Sequence, residues 1–226
     1  LSNLFAQTPI LLKDINPGVN DGLDGYNPYS PKYIVGLNNK AYFGAKDLEH
    51  GVELWQSDGT PSGTILLKDI KTGPTSSDPK DFLVYKGALY FTAASAEYGR
   101  ELWKTDGTAA GTVLVKDIWV GTSSSSISGL VEIQGKLFFA AADETGEVEP
   151  YVSDGTASGT KLLKNLPSTL GGGSRPGGFI EHNGLIYFYA GGILPGFGEQ
   201  LWKTDGTEVG TQLVSESRKI NGLFSA

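Results

Sequence analysis

The chain has 226 residues, no cysteine and no methionine, a formal net charge of −7 and a sequence pI near 4.9. The missing cysteines remove disulfide and thiolate chemistry, and the acidic balance argues against nucleic acid or an anionic membrane surface, since both need clustered Lys and Arg. No apolar run approaches the roughly 20 residues of a spanning helix, so membrane insertion is not expected, while 32 glycines at turn-like intervals and 11% aromatics suit many short strands.

In chain order, residues 1–32 hold an apolar start, LSNLFA, then ILLKDI from Ile10 to Ile15, then the loop-like NPGVNDGLDGYNPYSP. The start reads equally as the end of a secretory leader cut before Gln7 or as an apolar terminus. Without Met, even at position 1, the sequence reads as part of a longer protein. From there four units follow, at 33–81, 82–128, 129–177 and 178–217, with 218–226 as a tail or the start of another unit. Each unit has four strand-length pieces, as in FLVY, ALYFTA, ELWKT and TVLVKDI of the second. The first two pieces are joined by Asn38-Asn39, Lys86-Gly87, Gln134-Gly135 or Asn183-Gly184, a strong hairpin signal because these residues accept positive φ at low cost.

The units are copies of one another. ELWQSDGTPSGTILLKDI from Glu53, ELWKTDGTAAGTVLVKDI from Glu101, EPYVSDGTASGTKLLKNL from Glu149 and QLWKTDGTEVGTQLVSES from Gln200 align throughout, with Asp58, Asp106, Asp154 and Asp205 spaced 48, 48 and 51 apart. A fixed period of this size signals an array of like supersecondary units. The second pieces, ALYFTA and KLFFAAA, are apolar at consecutive positions, so both faces of each sheet need cover. The expectation is an all-β, propeller-like array of about four four-stranded antiparallel blades, with Trp55, Trp103, Tyr151 and Trp202 as equivalent packing aromatics.

The motif ELW-x-x-DGT-x-x-GT-x-LVKDI resembles the ELWxxDGT repeat of large secreted or surface-attached bacterial proteins, nearly throughout at residues 53–70 and 101–118. The third copy departs at Pro150 and Tyr151, and the fourth lacks the KDI ending. The resemblance implies export, to the cell surface or beyond, and a propeller-like array; it carries no catalytic residues.

The four Asp-Gly-Thr turns suggest a metal ring at first sight, but calcium takes about 6–8 oxygens within one small shell, and turns on separate blades lie too far apart. Asp58, Asp106, Asp154 and Asp205 therefore read as turn-holding residues that bond nearby backbone N–H groups. The turns also resemble the Asp boxes of sialidases. Such an enzyme needs clustered arginines, whereas Arg100, Arg175 and Arg218 occupy unrelated repeat positions and read as surface residues. His50 and His182 fall in no zinc-binding or triad-like pattern, and GGGSRPGG (171–178) reads as a linker.

Recognition is expected where the repeat is broken, because such residues are not needed for packing. The loop before the first unit is seven residues longer than its two successors and holds Asp21, Asp24, Tyr26 and Tyr29; Trp119 replaces a polar residue just after a KDI. Trp119, Tyr26 and Tyr29 are the ligand-binding candidates, suited to stacking on sugars or anchoring a surface protein. Asp21 and Asp24 offer at most weak calcium binding, and no other cofactor is expected. The function expected from this pattern is a non-catalytic extracellular binding or adhesion module with carbohydrate as its first ligand class. A sialidase-like glycoside hydrolase and a structural spacer in a larger surface protein are the alternatives.

Overall fold

The computed structural model describes residues 11–15, 34–168, 172–191 and 200–215. Among them every regular element is a β-strand, and the strands form four separate antiparallel sheets, each a simple meander. Blade 1 comprises β1 (Val35–Leu37), β2 (Lys40–Asp47), β3 (Gly51–Ser57) and β4 (Ile65–Lys68). Blade 2 comprises β5 (Lys80–Tyr85), β6 (Ala88–Ser95), β7 (Gly99–Thr105) and β8 (Val113–Lys116). Blade 3 follows with β9 (Ser128–Ile133), β10 (Lys136–Ala142), β11 (Val148–Ser153) and β12 (Lys161–Leu162), and blade 4 with β13 (Gly177–His182), β14 (Leu185–Ala190), β15 (Gln200–Thr204) and β16 (Gln212–Ser215).

The hairpin turns take the backbone that their residues favour. Asn38-Asn39, Lys86-Gly87, Gln134-Gly135 and Asn183-Gly184 all have φ between 48° and 78°, the mirror-image turn whose twist matches the flanking strands. In blades 1, 2 and 4 the outer strand then meets the third strand with one extra residue. Leu54 faces Lys68 and Trp55 faces Leu66, so Leu67 is the bulged residue, and Leu102–Lys116 with Trp103–Leu114 repeat the arrangement around Val115. The bulge bends the short outer strand and sends Leu67 and Val115 into the interior, where both are buried.

Packing explains why the middle strands are apolar at consecutive positions. One cluster joins Leu54, Leu67 and Ile70 of blade 1 to Phe91 and Trp103 of blade 2; a second joins Tyr90, Leu102 and Val115 of blade 2 to Phe139 and Tyr151 of blade 3. The third joins Phe138 and Leu163 to Phe188 and Trp202. Tyr90 faces the next blade and Phe91 the preceding one, so the sheets of blades 2 and 3 are each buried between two others. Phe91, Phe139 and Phe188 are wholly inaccessible to solvent.

Every meander has the same polarity, which gives the array two chemically distinct ends. One end carries the X-Gly hairpins and the Asp-Gly-Thr turns. The other, the connector end, carries the turn between second and third strands and the crossing to the next blade.

Candidate functional site

At the hairpin end the Asp-Gly-Thr turns are closed on themselves. Asp106 Oδ1 accepts from Thr108 N at 2.9 Å and Thr108 Oγ1 at 2.7 Å, and Thr108 Oγ1 in turn accepts from Gly111 N at 2.9 Å. Asp58, Asp154 and Asp205 make the same bonds, and in all four the threonine hydroxyl and backbone N–H hold the carboxyl below its usual range. A Cβ on Gly63, Gly111, Gly159 or Gly210 would collide with that aspartate, which is why the repeat reads DGT-x-x-GT.

The connector end holds a set of buried carboxylates whose role the sequence does not announce. Glu101 is fully buried and accepts from Ser125 Oγ at 2.7 Å, Ser125 N at 3.1 Å, Ile118 N at 3.2 Å and Trp119 N at 3.4 Å. Ser125 also receives Ala142 N from blade 3 on its own carbonyl at 2.6 Å, so one residue staples two blades. Glu53 with Ser77 and Ala94, and Glu149 with Ser174 and Gly191, repeat the staple. Burial outweighs these donors and pushes the Glu101 carboxyl up to about 7, with Glu53 and Glu149 raised for the same reason. The recurrence of Glu with Ser 24 or 25 residues later was the available signal.

Blade 2 breaks the pattern at this end. Arg100 stands where blades 1 and 3 have Val52 and Val148. Its guanidinium donates to the carbonyls of Asp78 at 2.8 Å, Ser77 at 3.1 Å and Thr92 at 3.4 Å, with the Asp78 carboxylate 3.9 Å away. Arg100 is thus not the ordinary surface arginine expected; its side chain is mostly buried, and it holds down the segment entering β5. Asp81, in the left-handed region at φ 57° where blades 3 and 4 have Gly129 and Gly178, accepts from Thr92 Oγ1 at 2.9 Å.

Trp119, a ligand-binding candidate because it breaks the repeat, is half-buried and lies across a turn of the next blade. A Cβ on Gly146 would sit 3.7 Å from the tip of its ring, so the glycine leaves room for the indole. In that turn Asp143 Oδ1 accepts from Thr145 N and Oγ1 at 3.0 and 2.6 Å, and its Oδ2 accepts from Tyr151 OH at 3.4 Å. Burial first, then the Asp143 charge, pushes the Tyr151 phenol up. Glu144 is exposed and Glu147 half-buried on the same turn, so the indole borders an acidic rim.

His50 Nδ1 pairs with Asp47 Oδ2 at 2.8 Å on the β2–β3 turn, a hydrogen bond that raises the imidazole pKa, whereas His182 lies on the first strand of blade 4. Among the described residues no group of three His, Asp or Glu side chains is placed to hold a metal, and no helix is long and apolar enough to cross a membrane. Tyr26, Tyr29, Asp21 and Asp24 lie outside the described residues.

No known family model matches the chain, and no curated protein matches it. Solved structures do. A puromycin hydrolase aligns with a TM-score of 0.52 and 12% identity over 86% of this chain and 30% of its own. A prolyl endopeptidase aligns at 0.49 and 12% over 78% and 24%, and an endo-1,4-beta-xylanase from Bacteroides thetaiotaomicron at 0.39 and 16% over 81% and 71%. The chain spans less than a third of the puromycin hydrolase and of the prolyl endopeptidase. At such identities the likeness is one of fold.

These matches correct the expectation of a non-catalytic binding or adhesion module. The puromycin hydrolase, which shares the fold, is named for hydrolysis, so regular repetition of this fold is no sign of a passive protein. The physical reason is that the residues that recur make the joints between blades, so the repeat pattern reports on packing and not on activity.

Proposed function

We propose that the chain forms the blade array of a hydrolase acting on neutral glycosides, with the connector end of blades 2 and 3 turned toward the sugar. The observation that carries this reading is Trp119, an indole standing where blades 1 and 3 have Lys71 and Pro167 and set beside the acidic turn 143–147. An aromatic face stacks on the apolar face of a sugar ring, and glycosidic bonds are cleaved by paired carboxyl groups, one acting as acid and one as base or nucleophile. Asp143 is committed to Thr145 and Tyr151, which leaves Glu144 and Glu147 as the carboxylates to test. A sialoside substrate is disfavoured, because Arg100 spends its donors on backbone carbonyls and offers no grip for a carboxylate. Action outside the cell accords with the ELWxxDGT resemblance and is part of the same proposal.

The test is turnover of aryl β-xylosides, α-arabinofuranosides and β-galactosides, run beside a prolyl-peptide substrate. We expect hydrolysis of at least one glycoside, abolished by Glu144→Gln or Glu147→Gln and weakened in KM by Trp119→Ala. Cleavage of the peptide alone would move the substrate class to amides, and absence of turnover on all of them would overturn the hydrolase reading.

A further inference from the structure

We infer that the open face of blade 1 is a docking surface for a further blade of this same repeat, one whose fourth strand is residues 11–15 of this chain. The first observation is a recurring pin. Lys116 Nζ donates to the Thr160 carbonyl of the next blade at 2.7 Å, and Lys164 Nζ to the Thr211 carbonyl at 2.8 Å. Lys13, in the matching position of ILLKDI, donates to the Thr64 carbonyl at 2.6 Å. Residues 11–15 therefore stand before blade 1 as the fourth strands of blades 2 and 3 stand before blades 3 and 4.

Among the described residues no other strand of that preceding blade is present. Gly107, Gly155 and Gly206 each meet an aromatic ring of the blade before them, from Tyr42, Tyr90 and Phe138, whereas Gly59 meets nothing. Phe43 is only half-buried, although Phe91, Phe139 and Phe188 at its position are fully enclosed. Leu12 is 41% exposed where its counterpart Leu67 is 7% exposed.

Blade 4 shows the converse deficiency. Ile180 and Val214 are exposed on its forward face, and Gln200 Oε1, at the position where Glu53, Glu101 and Glu149 receive their serine, is buried without a donor. Yet blade 4 does not fit directly against blade 1. The place its outer strand would take is held by residues 11–15, and Ser215 stands where the pin requires lysine. The occupant that satisfies both faces is a blade of the same repeat that uses residues 11–15 as its outer strand. This inference rests on the fold and is independent of the hydrolase reading.

The experiment extends the chain after Ala226 with the first three strands of a blade, residues 80–105 in one variant and 128–153 in a second, and compares thermal unfolding, dye binding and mass in solution with the unextended chain. We expect the unextended chain to be a monomer that binds a hydrophobic dye and tolerates Phe43→Glu far better than Phe91→Glu. At least one extension should raise Tm by about 5 °C or more and suppress dye binding, with Lys13→Ala removing part of the gain. A head-to-tail dimer of the unextended chain would make a second copy the occupant and overturn the proposal. Equal damage from Phe43→Glu and Phe91→Glu, or no gain from either extension, would overturn it too.

Discussion

Ser125 Oγ lies 2.7 Å from Glu101 Oε2, at the point where the connector leaving blade 2 turns into blade 3. The pair joins a buried carboxyl, ionised above pH 7, to the joint between blades, so its loss at pH 8 is felt by both sheets. We expect Ser125→Ala to cost about 1.5–3 kcal/mol, the range for a hydrogen bond to a charged group. Urea unfolding would measure it, and Ser125→Ala combined with Glu101→Gln should cost less than the sum of the two.

The raised carboxyl of Glu101 ties stability to pH. A folded-state pKa of about 7 against an ordinary 4.5 means that the folded protein holds the extra proton between those values. Its contribution is therefore complete below about 4.5 and is lost as pH rises through 7. We expect Tm to fall across that window and Glu101→Gln to flatten the slope; an unchanged slope in the variant would assign the dependence to other groups.

Gly111→Ala should destabilise the protein although Gly111 is not in the left-handed region, because the added methyl meets the Asp106 carboxylate. Asp106→Ala in the same chain should recover part of the loss. Thermal melts of both single variants and the double variant would show this as strong coupling.

Trp103 is buried against blade 1, so Trp103→Ala is expected to cost about 3–5 kcal/mol. Its indole N–H has no acceptor. Trp103→Phe should accordingly be far milder, since it removes an unsatisfied donor while keeping most of the ring. Equal losses in the two variants, by denaturant unfolding, would show that the indole N–H matters more than the buried area.

The fold was legible because its determinants are local. Asn183-Gly184 announces a hairpin wherever it occurs, and a period of 48 residues announces like units. The staples were not legible, since Glu101 looks like any strand carboxylate until Ser125, from the connector that leaves the same blade, is seen closing over it. Arg100 misled for a related reason: its partners are the carbonyls of Ser77, Asp78 and Thr92, and a backbone carbonyl leaves no mark on a sequence. Trp119 stood out as an irregularity, but its cover by a turn of the next blade depends on Gly146, 27 positions on.

The staples at Ser77, Ser125 and Ser174 also set how the molecule should yield under load. Each joint is closed by a serine staple of the same form, and among the described residues blades 1 and 4 each have one uncovered face, so stretching from the two ends loads an outermost blade first. The extension trace should be a saw-tooth, each tooth releasing the contour length of one repeat, roughly 170 Å of chain, with the peak forces of successive teeth alike.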